Sequence, residues 1–287
     1  MPIDAAKALA AEPRTGEITW TRKDVLLYHL GLGAGTPATD PGELRYTLES
    51  RLHVLPSFAT VAGSGSPGVI SGLSVPGVDV DLARVLHGGQ SLTLHRRPLP
   101  AEGTATATGG IAAVYDKGKA AVLVMRTEVS DGQGPLWTND AQIFVRGEGG
   151  WGGDRGPSTR LEPPTGPPDR TLERRVREDQ ALLYRLSGDW NPLHADPEFA
   201  ARAGFERPIL HGLCTYGMTL KAVVDTLLDG DPARVRHYTT RFAGVVFPGE
   251  TLRTRMWRQG GGSVRVAVSA ADRDDAPVLA DTVVEHT

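Results

Sequence analysis

Apolar and polar residues alternate in two successive sets of segments, and each set predicts helices followed by several strands. In the first set, Thr21 caps a helix whose apolar side holds Val25, Leu26 and Leu30. Period-two alternation and Gly-containing turns predict antiparallel strands after it. The predicted elements are a strand at 17–20, helical segments at 22–32 and 43–46, and strands at 89–95, 104–115, 120–129 and 141–146.

The second set of segments repeats this order after residue 170. Apolar residues surround most of a long helix predicted at 211–228, so we expect it to be buried on several sides. Helices followed by antiparallel strands, twice over, are typical of an α+β protein. The other predicted elements are a strand at 170–176, a helix at 178–186 and strands at 237–242, 250–258, 263–271 and 278–285.

Short sequences also recur at corresponding places of the two sets. Residues 28–33, Tyr-His-Leu-Gly-Leu-Gly, are similar to residues 184–189, Tyr-Arg-Leu-Ser-Gly-Asp. We infer two copies of one fold. The first copy has no equivalent of Asp189 or His194, and residues 33–35, Gly-Ala-Gly, occupy that place.

Composition divides the chain at a Gly- and Pro-rich segment, residues 147–170, which is typical of a linker. We predict an N-terminal repeat at 1–150, a linker at 151–170 and a C-terminal repeat at 171–287. Residues 1–16 are expected to be a loosely held lead-in, and Trp151 to be pinned on a domain surface. Gly, Pro and Ser also recur at 55–80, where a surface loop and a flexible cover over a pocket both stay open.

Composition and charge exclude several classes of function. The 287 residues are 40% hydrophobic with a net charge of −3, which is typical of a globular protein with a sizeable core. The basic residues are scattered and balanced by acids, so we expect no nucleic-acid partner. No apolar run approaches the roughly 20 residues that span a bilayer. A single cysteine, a polar N-terminus and the absence of a peroxisomal C-terminal address make the cytoplasm the expected location.

Residues 187–194, Ser-Gly-Asp-Trp-Asn-Pro-Leu-His, concentrate the candidate chemistry. Pro192 interrupts a helix, so Asp189, Asn191 and His194 are predicted to share a tight loop. Downstream, the long helix begins at Gly212, where free backbone N–H groups can hold developing negative charge. An acid/base pair beside such a helix start indicates a catalytic site.

Structural interpretations of the same residues are weighed beside the catalytic one. Asp189 also fits an Asx turn, His194 a helix cap, and Asn191 a structural turn as well as an active-site role. The predicted structural or core residues are His87, His95, Tyr184, Trp190, His211 and Cys214. A zinc site at His-x-x-Cys spacing is improbable without a second cysteine pair, so no metal is expected.

Residues 184–194 resemble the signature of the (R)-specific enoyl-CoA hydratases, called hydratase 2, within the MaoC-like dehydratase family. Residues 207–215 and 242–252 resemble that family's next two blocks. Residues 86–100 and 114–119 are similar to the hydratase part of the peroxisomal multifunctional enzyme type 2. The resemblance covers almost the whole chain. The chain differs from that enzyme in having no fused dehydrogenase or sterol-carrier parts.

The resemblance implies a double hotdog fold, in which each repeat wraps an antiparallel sheet around a helix. It also implies Asp189 and His194 as the catalytic pair and the N–H of Gly212 as oxyanion donor. For the same chemistry we expect Asn191 to place the water or brace the loop. The implied reaction interconverts trans-2-enoyl-CoA and (3R)-3-hydroxyacyl-CoA without metal or organic cofactor. A homodimer is expected on the same ground.

Three other functions stay open at this point. They are a dehydratase acting on acyl-carrier-protein thioesters, a hotdog thioesterase and a non-catalytic acyl-CoA-binding protein. Arg207 and Arg241 are candidates for the CoA diphosphate, and a surface-paired role is equally favoured for each. If Gly/Pro-rich residues 57–80 replace a core helix, the first repeat has space for a long or bulky acyl chain.

Overall fold

A ten-stranded antiparallel sheet is the frame of the protein. The computed structural model describes residues 3–64, 75–81, 84–158, 160–162 and 164–287. The strands are β1 (Arg14–Trp20), β2 (Val85–Leu94), β3 (Gly103–Asp116), β4 (Ala120–Asp131), β5 (Gly134–Arg146), β6 (Arg170–Arg175), β7 (Val235–Phe242), β8 (Thr251–Gln259), β9 (Ser263–Ala270) and β10 (Ala276–His286).

The order of the strands confirms that the fold is duplicated. The sheet runs β1-β3-β4-β5-β2-β7-β10-β9-β8-β6, so β1 to β5 and β6 to β10 follow the same order from their outer edges to the middle. The two halves join where β2 pairs with β7, with Gly89 opposite Arg241 and Thr93 opposite His237. Residues on these two strands therefore lie at the seam between the repeats.

Six α-helices lie in the described residues, and their ends follow the capping signals of the sequence. Thr21 caps the start of α2 as predicted, and Asp24 completes a capping box with it. Asp40 and Asp196 cap α3 and α5, each with proline in the first turn. The helices are α1 (Ala5–Leu9), α2 (Arg22–Gly31), α3 (Pro41–Thr47), α4 (Gln180–Tyr184), α5 (Pro197–Arg202) and α6 (Gly212–Leu227). None of them is long and apolar enough to cross a membrane.

Helix α6 is the central helix of the second repeat, and it is buried over most of its surface as expected. Small residues allow the helices of the two repeats to approach closely. A Cβ at Gly217 would lie 2.6 Å from Leu32 and from the Tyr28 hydroxyl, and one at Gly31 would lie 3.1 Å from the Tyr184 Cα. Substituting either glycine would therefore separate α2 from α4 and α6.

A buried ionic cluster also fixes α3 of the first repeat against α6. Lys221, with no exposed surface, donates to Glu43 at 2.8 Å and to Asp225 at 2.7 Å. Arg174 donates to Glu43 from β6, and the Tyr46 hydroxyl donates to Asp225. A displacement of one repeat relative to the other would leave a buried charge unpaired, which is costly. The cluster therefore favours one orientation of the two repeats.

Several predicted boundaries were wrong. The lead-in at 1–16 instead contains α1 and the start of β1, because Ile3 and Ala8 pack into a second hydrophobic cluster. The helix predicted at 178–186 is only five residues long and continues as a 3₁₀-helix, which ends at Gly188 with φ of +119°. The strand predicted at 141–146 begins earlier, at residue 134.

The segment at 55–80 begins in the core. Leu55, Ser57 and Phe58 are buried, and Pro56–Thr60 is a 3₁₀-helix, so a surface loop is the wrong interpretation for these residues. Residues 65–74 of that segment lie outside the described ranges. In the described part of 55–80, no helix has the length of α6.

The predicted linker lies against the sheet. The Asp116 carboxylate accepts hydrogen bonds from the N–H groups of Gly150 and Gly152, and Trp151 packs on the second hydrophobic cluster. Further along, the Leu161 N–H donates to Asp281 on β10. The segment is irregular but held by specific bonds.

Candidate active site

The loop at residues 188–194 is shaped by its own polar side chains. Asp189 Oδ1 accepts from the Asn191 N–H at 3.1 Å, and Asn191 Oδ1 accepts from the Leu193 N–H at 3.0 Å. Pro192 then begins a single 3₁₀ turn that ends at His194. The turn interpretation is thus correct for Asp189 Oδ1 and for the side-chain oxygen of Asn191, and Asp189 Oδ2 is left to face the site.

His194 is held so that one ring nitrogen faces Asp189. Its side chain is buried, and Nδ1 donates to the Ile209 carbonyl at 2.8 Å. Nε2 then carries the lone pair, 4.0 Å from Asp189 Oδ2. Burial lowers the pKa of His194 below its usual value, while the bond to Ile209 and the Asp189 charge oppose that shift. The imidazole is therefore neutral and available as a proton acceptor.

Gly212 is the first residue of α6, next to this pair. The first backbone bonds of the helix run from the Cys214 and Thr215 N–H groups to the His211 carbonyl. The N–H of Gly212 therefore has no partner within the helix. A Cβ at Gly212 would lie 3.1 Å from the Phe242 ring, so glycine lets β7 pack closely on the helix start.

His211 contacts both members of the pair. Its ring stacks on His194 with centroids 3.7 Å apart and planes at 27°. Its Nε2 donates to the Asp189 backbone carbonyl at 3.2 Å. The sequence analysis predicted only a structural hydrogen bond for His211. It did not predict the stacking on His194, because the spacing of two residues along the chain does not show whether their rings are in contact.

Asp189, Asn191, His194 and Gly212 line a cavity of about 400 Å³ at the seam between the repeats. Apolar side chains from both repeats form most of its wall. A second cavity of about 250 Å³ lies in the first repeat, and both cavities are lined by His87 and Leu213. The lining of the first cavity includes His87, Asp189, Asn191, His194, Gly212, Leu213 and Phe242.

His87 is a site residue that the sequence analysis missed. It was predicted to be structural, yet it lies on β2 at the seam and lines both cavities. Its ring packs edge-on against Phe242 at 4.8 Å. Burial lowers its pKa to about 4. His87 lies on β2, the strand that pairs with β7 of the second repeat. The sequence alone does not show this pairing, so it gave no sign that His87 lies near the site.

The other candidate residues lie outside the reacting centre. Trp190 was expected in the core or pocket wall, which is wrong: its side chain is 57% exposed and Arg185 stacks on it at 4.7 Å. Tyr184 and Cys214 are core residues as expected, whereas His95 is exposed and bonds to Thr138.

The two arginine candidates have partners within the chain. Arg241 pairs with Asp281 at 2.6 Å. Arg207 lies over the Phe247 ring at 4.9 Å and donates to the Pro248 carbonyl. Both arrangements match the alternative of a surface-paired side chain, so neither residue is assigned to a ligand.

Asp189, His194 and His211 offer ligand atoms within 4.8 Å of one another, which raises the question of a metal. A ring nitrogen donates its lone pair in the plane of the imidazole. The two stacked rings have nearly parallel planes, so their lone pairs do not converge at the roughly 2 Å that zinc requires. The donor set suits acid/base chemistry better than metal binding.

The buried histidines predict a pH dependence of folding. His29 is buried in the first repeat, and burial lowers its pKa to about 4. Between about pH 6.5 and 4 the unfolded chain therefore binds a proton that the folded chain does not, so acid favours unfolding. We expect the free energy of unfolding to fall by about 1.4 kcal/mol per pH unit for this residue. Urea unfolding of the wild type and of His29→Phe measures it; an equal pH slope in both would contradict the assignment.

Comparison with known proteins agrees with the architecture. Residues 18–147 match a family described as the MFE-2 hydratase 2 N-terminal domain, and residues 160–276 match the MaoC like domain. A Mycobacterium tuberculosis protein described as having a double hotdog fold superposes with a TM-score of 0.56 over 99% of this chain and 97% of its own, at 14% identity. The predicted double hotdog fold is confirmed.

Two more similar proteins fix the family. The crystal structure of a MaoC-like dehydratase from Phytophthora capsici superposes with a TM-score of 0.89 at 32% identity, covering 99% of this chain and 98% of that one. A Mycobacterium tuberculosis protein named enoyl-CoA hydratase ChsH3 is 48% identical over 97% of both chains. With both domain types present in order and this identity along nearly its whole length, the chain belongs to the hydratase 2 branch of the MaoC-like family.

Proposed function

We propose that this protein is an (R)-specific enoyl-CoA hydratase, which adds water to trans-2-enoyl-CoA and gives (3R)-3-hydroxyacyl-CoA, in fatty acyl metabolism. The observation that carries the proposal is the gap of 4.0 Å between Asp189 Oδ2 and His194 Nε2, beside the Gly212 N–H in one cavity. The relative named enoyl-CoA hydratase supports the substrate class.

The pair is spaced to hold one water. A separation of 4.0 Å is too long for a direct hydrogen bond, but one water oxygen can lie about 2.8 Å from both atoms. As that oxygen adds to C3 of the enoyl group, one proton leaves the water for the pair, and the pair returns one proton to C2. Asn191 lines the same cavity, and its backbone bond to Asp189 braces the carboxylate.

The start of α6 stabilises the charge that this addition creates. Negative charge moves onto the thioester oxygen before C2 is protonated. The Gly212 N–H and the positive end of a 16-residue helix are directed at that oxygen in the proposed pose. These groups supply acid, base and oxyanion donor from the chain itself, so the proposal includes neither metal nor organic cofactor.

The second cavity is proposed to take the distal part of the acyl chain. It adjoins the reacting residues through His87 and Leu213. Its wall includes Ala59 and Ser64 from the described part of the Gly/Pro-rich segment at 55–80. The proposal therefore favours long or bulky acyl groups. A cytoplasmic location and a homodimer remain part of it as predictions from the sequence.

A spectrophotometric assay tests the reaction. With crotonyl-CoA or a longer enoyl-CoA, we expect the enoyl absorbance to disappear while a thiol reagent detects no free CoA, and chiral analysis to find the (3R) product. Release of CoA would identify a thioesterase, and unchanged absorbance a binding protein. Turnover restricted to enoyl-acyl-carrier-protein would identify a dehydratase of lipid synthesis. Asp189→Asn is the control for spontaneous hydration.

A further inference from the structure

His211 occupies the N-cap position of α6 without capping it. Its side chain makes no hydrogen bond to the first turn of the helix. Residues that stabilise this position are Ser, Thr, Asp and Asn, which accept from the N–H groups there. His211 instead extends to the neighbouring loop, where Nε2 donates to the Asp189 carbonyl at 3.2 Å. Helix capping therefore does not account for a histidine at this place.

The ring of His211 is enclosed between two other rings. One contact is the stack on His194 at 3.7 Å, and the other is with Tyr184, whose ring centroid is 5.0 Å away. The residue is 1% exposed. Because the ring is closely packed, a change in its position would also displace the two rings that it contacts.

The surroundings keep His211 neutral. Burial and the adjacent His194 lower its pKa to about 4, with a further lowering by Arg185, while Asp189 opposes the shift. These groups and the Tyr184 ring face it from the elements packed around it. A neutral imidazole has one N–H, which is used on the Asp189 carbonyl, and Nδ1 has no partner among the described residues. This N–H is the polar contact that links α6 to the Asp189 loop.

We propose that His211 is a positioning residue of the reaction: by supporting the His194 ring on one face and holding the Asp189 backbone, it sets the separation of the two reacting groups. This inference rests on the proposed function, in which Asp189 and His194 share one water. His211 also immediately precedes Gly212 in the chain. One residue is therefore in direct contact with the Asp189 backbone, the His194 ring and the oxyanion donor. A displacement of about 1 Å in such a site can cost about 100-fold in rate.

Two variants separate the two contacts of His211. His211→Phe keeps a flat ring against His194 and loses the donor to Asp189. His211→Gln keeps an amide donor and loses the ring. For each we expect kcat to fall between about 10- and 100-fold with KM changed by less than about threefold, because the loss concerns geometry in the transition state. The matched control is His29→Phe, another buried histidine, which bonds to Tyr46 and Leu55 and is expected to keep kcat per folded molecule.

A second measurement distinguishes positioning from general destabilisation. In His211→Gln, water reaches His194, so its pKa rises towards its usual value and the acid limb of kcat/KM moves to higher pH. In His211→Phe the ring stays covered and the limb stays in place. NMR titration of His194 measures the same pKa shift without turnover. It therefore tests the inference even if the wild-type protein hydrates no enoyl-CoA. That outcome would contradict the proposed function but not the contact of His211 with His194.

Three results would overturn the inference. They are kcat within about threefold of wild type in both variants, an unchanged titration of His194 in His211→Gln, and an equal loss of kcat in His29→Phe. Failure of both His211 variants to fold, read by circular dichroism and thermal unfolding, would show that the residue serves folding rather than positioning and would overturn it as well.

Discussion

Asp189→Asn is expected to lower kcat by about 1,000-fold while the protein stays folded. The substitution keeps an oxygen that accepts from the Asn191 N–H, so the turn at 3.1 Å is retained. It replaces the oxygen that faces His194 with an amide NH2 group, and so removes a group that can exchange a proton with the water. Acid/base groups typically contribute about 10²- to 10⁴-fold.

His194→Gln is expected to produce a loss of the same size. A glutamine amide can still donate to the Ile209 carbonyl, which His194 does at 2.8 Å, but it offers no basic nitrogen towards Asp189. Because both residues act on one water, the double variant should lose little more than either single one. Steady-state kinetics with crotonyl-CoA measures all three.

The controls for this pair are an aspartate and a histidine that do not line the cavity. Asp196→Asn changes a carboxylate seven residues away that caps α5, and asparagine caps equally well. His95→Gln changes an exposed histidine on the first repeat. Both should retain wild-type kcat and a wild-type melting temperature. Retained activity in Asp189→Asn or His194→Gln would overturn the assigned roles.

Much of the fold was predictable because local signals agree with the global structure. The capping box at Thr21 and Asp24 fixes the start of α2 by chemistry that sits within four residues. Strands β8 and β9 alternate in burial over most of their length, and this pattern appears directly in the sequence. The central helix α6 was found almost to its end residues for the same reason.

What the sequence did not reveal depends on contacts between distant segments. Most apolar side chains of residues 1–16 are alanines, which show no clear period, and the burial of Ile3 and Ala8 depends on apolar residues that β3, β4 and β5 present to them. His87 and His194 are more than 100 positions apart, so their shared cavity follows from the pairing of β2 with β7. Trp190 is exposed in the irregular loop before Pro192, where no helical or strand period indicates which side chains face the core.

The second cavity leads to a further large expected effect, on acyl chain length. Small residues form part of its wall, among them Ala107, Gly110 and Ala141. We expect the wild type to turn over a ten-carbon enoyl-CoA with higher kcat/KM than a four-carbon one, because only the longer chain reaches past His87 and Leu213. The ten-carbon chain is six carbons longer than the four-carbon one. If four of the six are buried at about 0.8 kcal/mol each, they contribute about 3 kcal/mol, on the order of 100-fold.

Filling this cavity should therefore reverse the preference. In Ala141→Phe, a ring from β5 occupies space that the distal acyl chain needs, and we expect kcat/KM for the ten-carbon substrate to fall by up to about 100-fold. The four-carbon substrate, which stays beside Asp189 and His194, should be unaffected. Ala112→Phe, on an exposed position of β3, is the matched control for adding the same ring. Equal losses for both substrates, or a wild type that already prefers four carbons, would exclude an acyl-chain role for the first repeat.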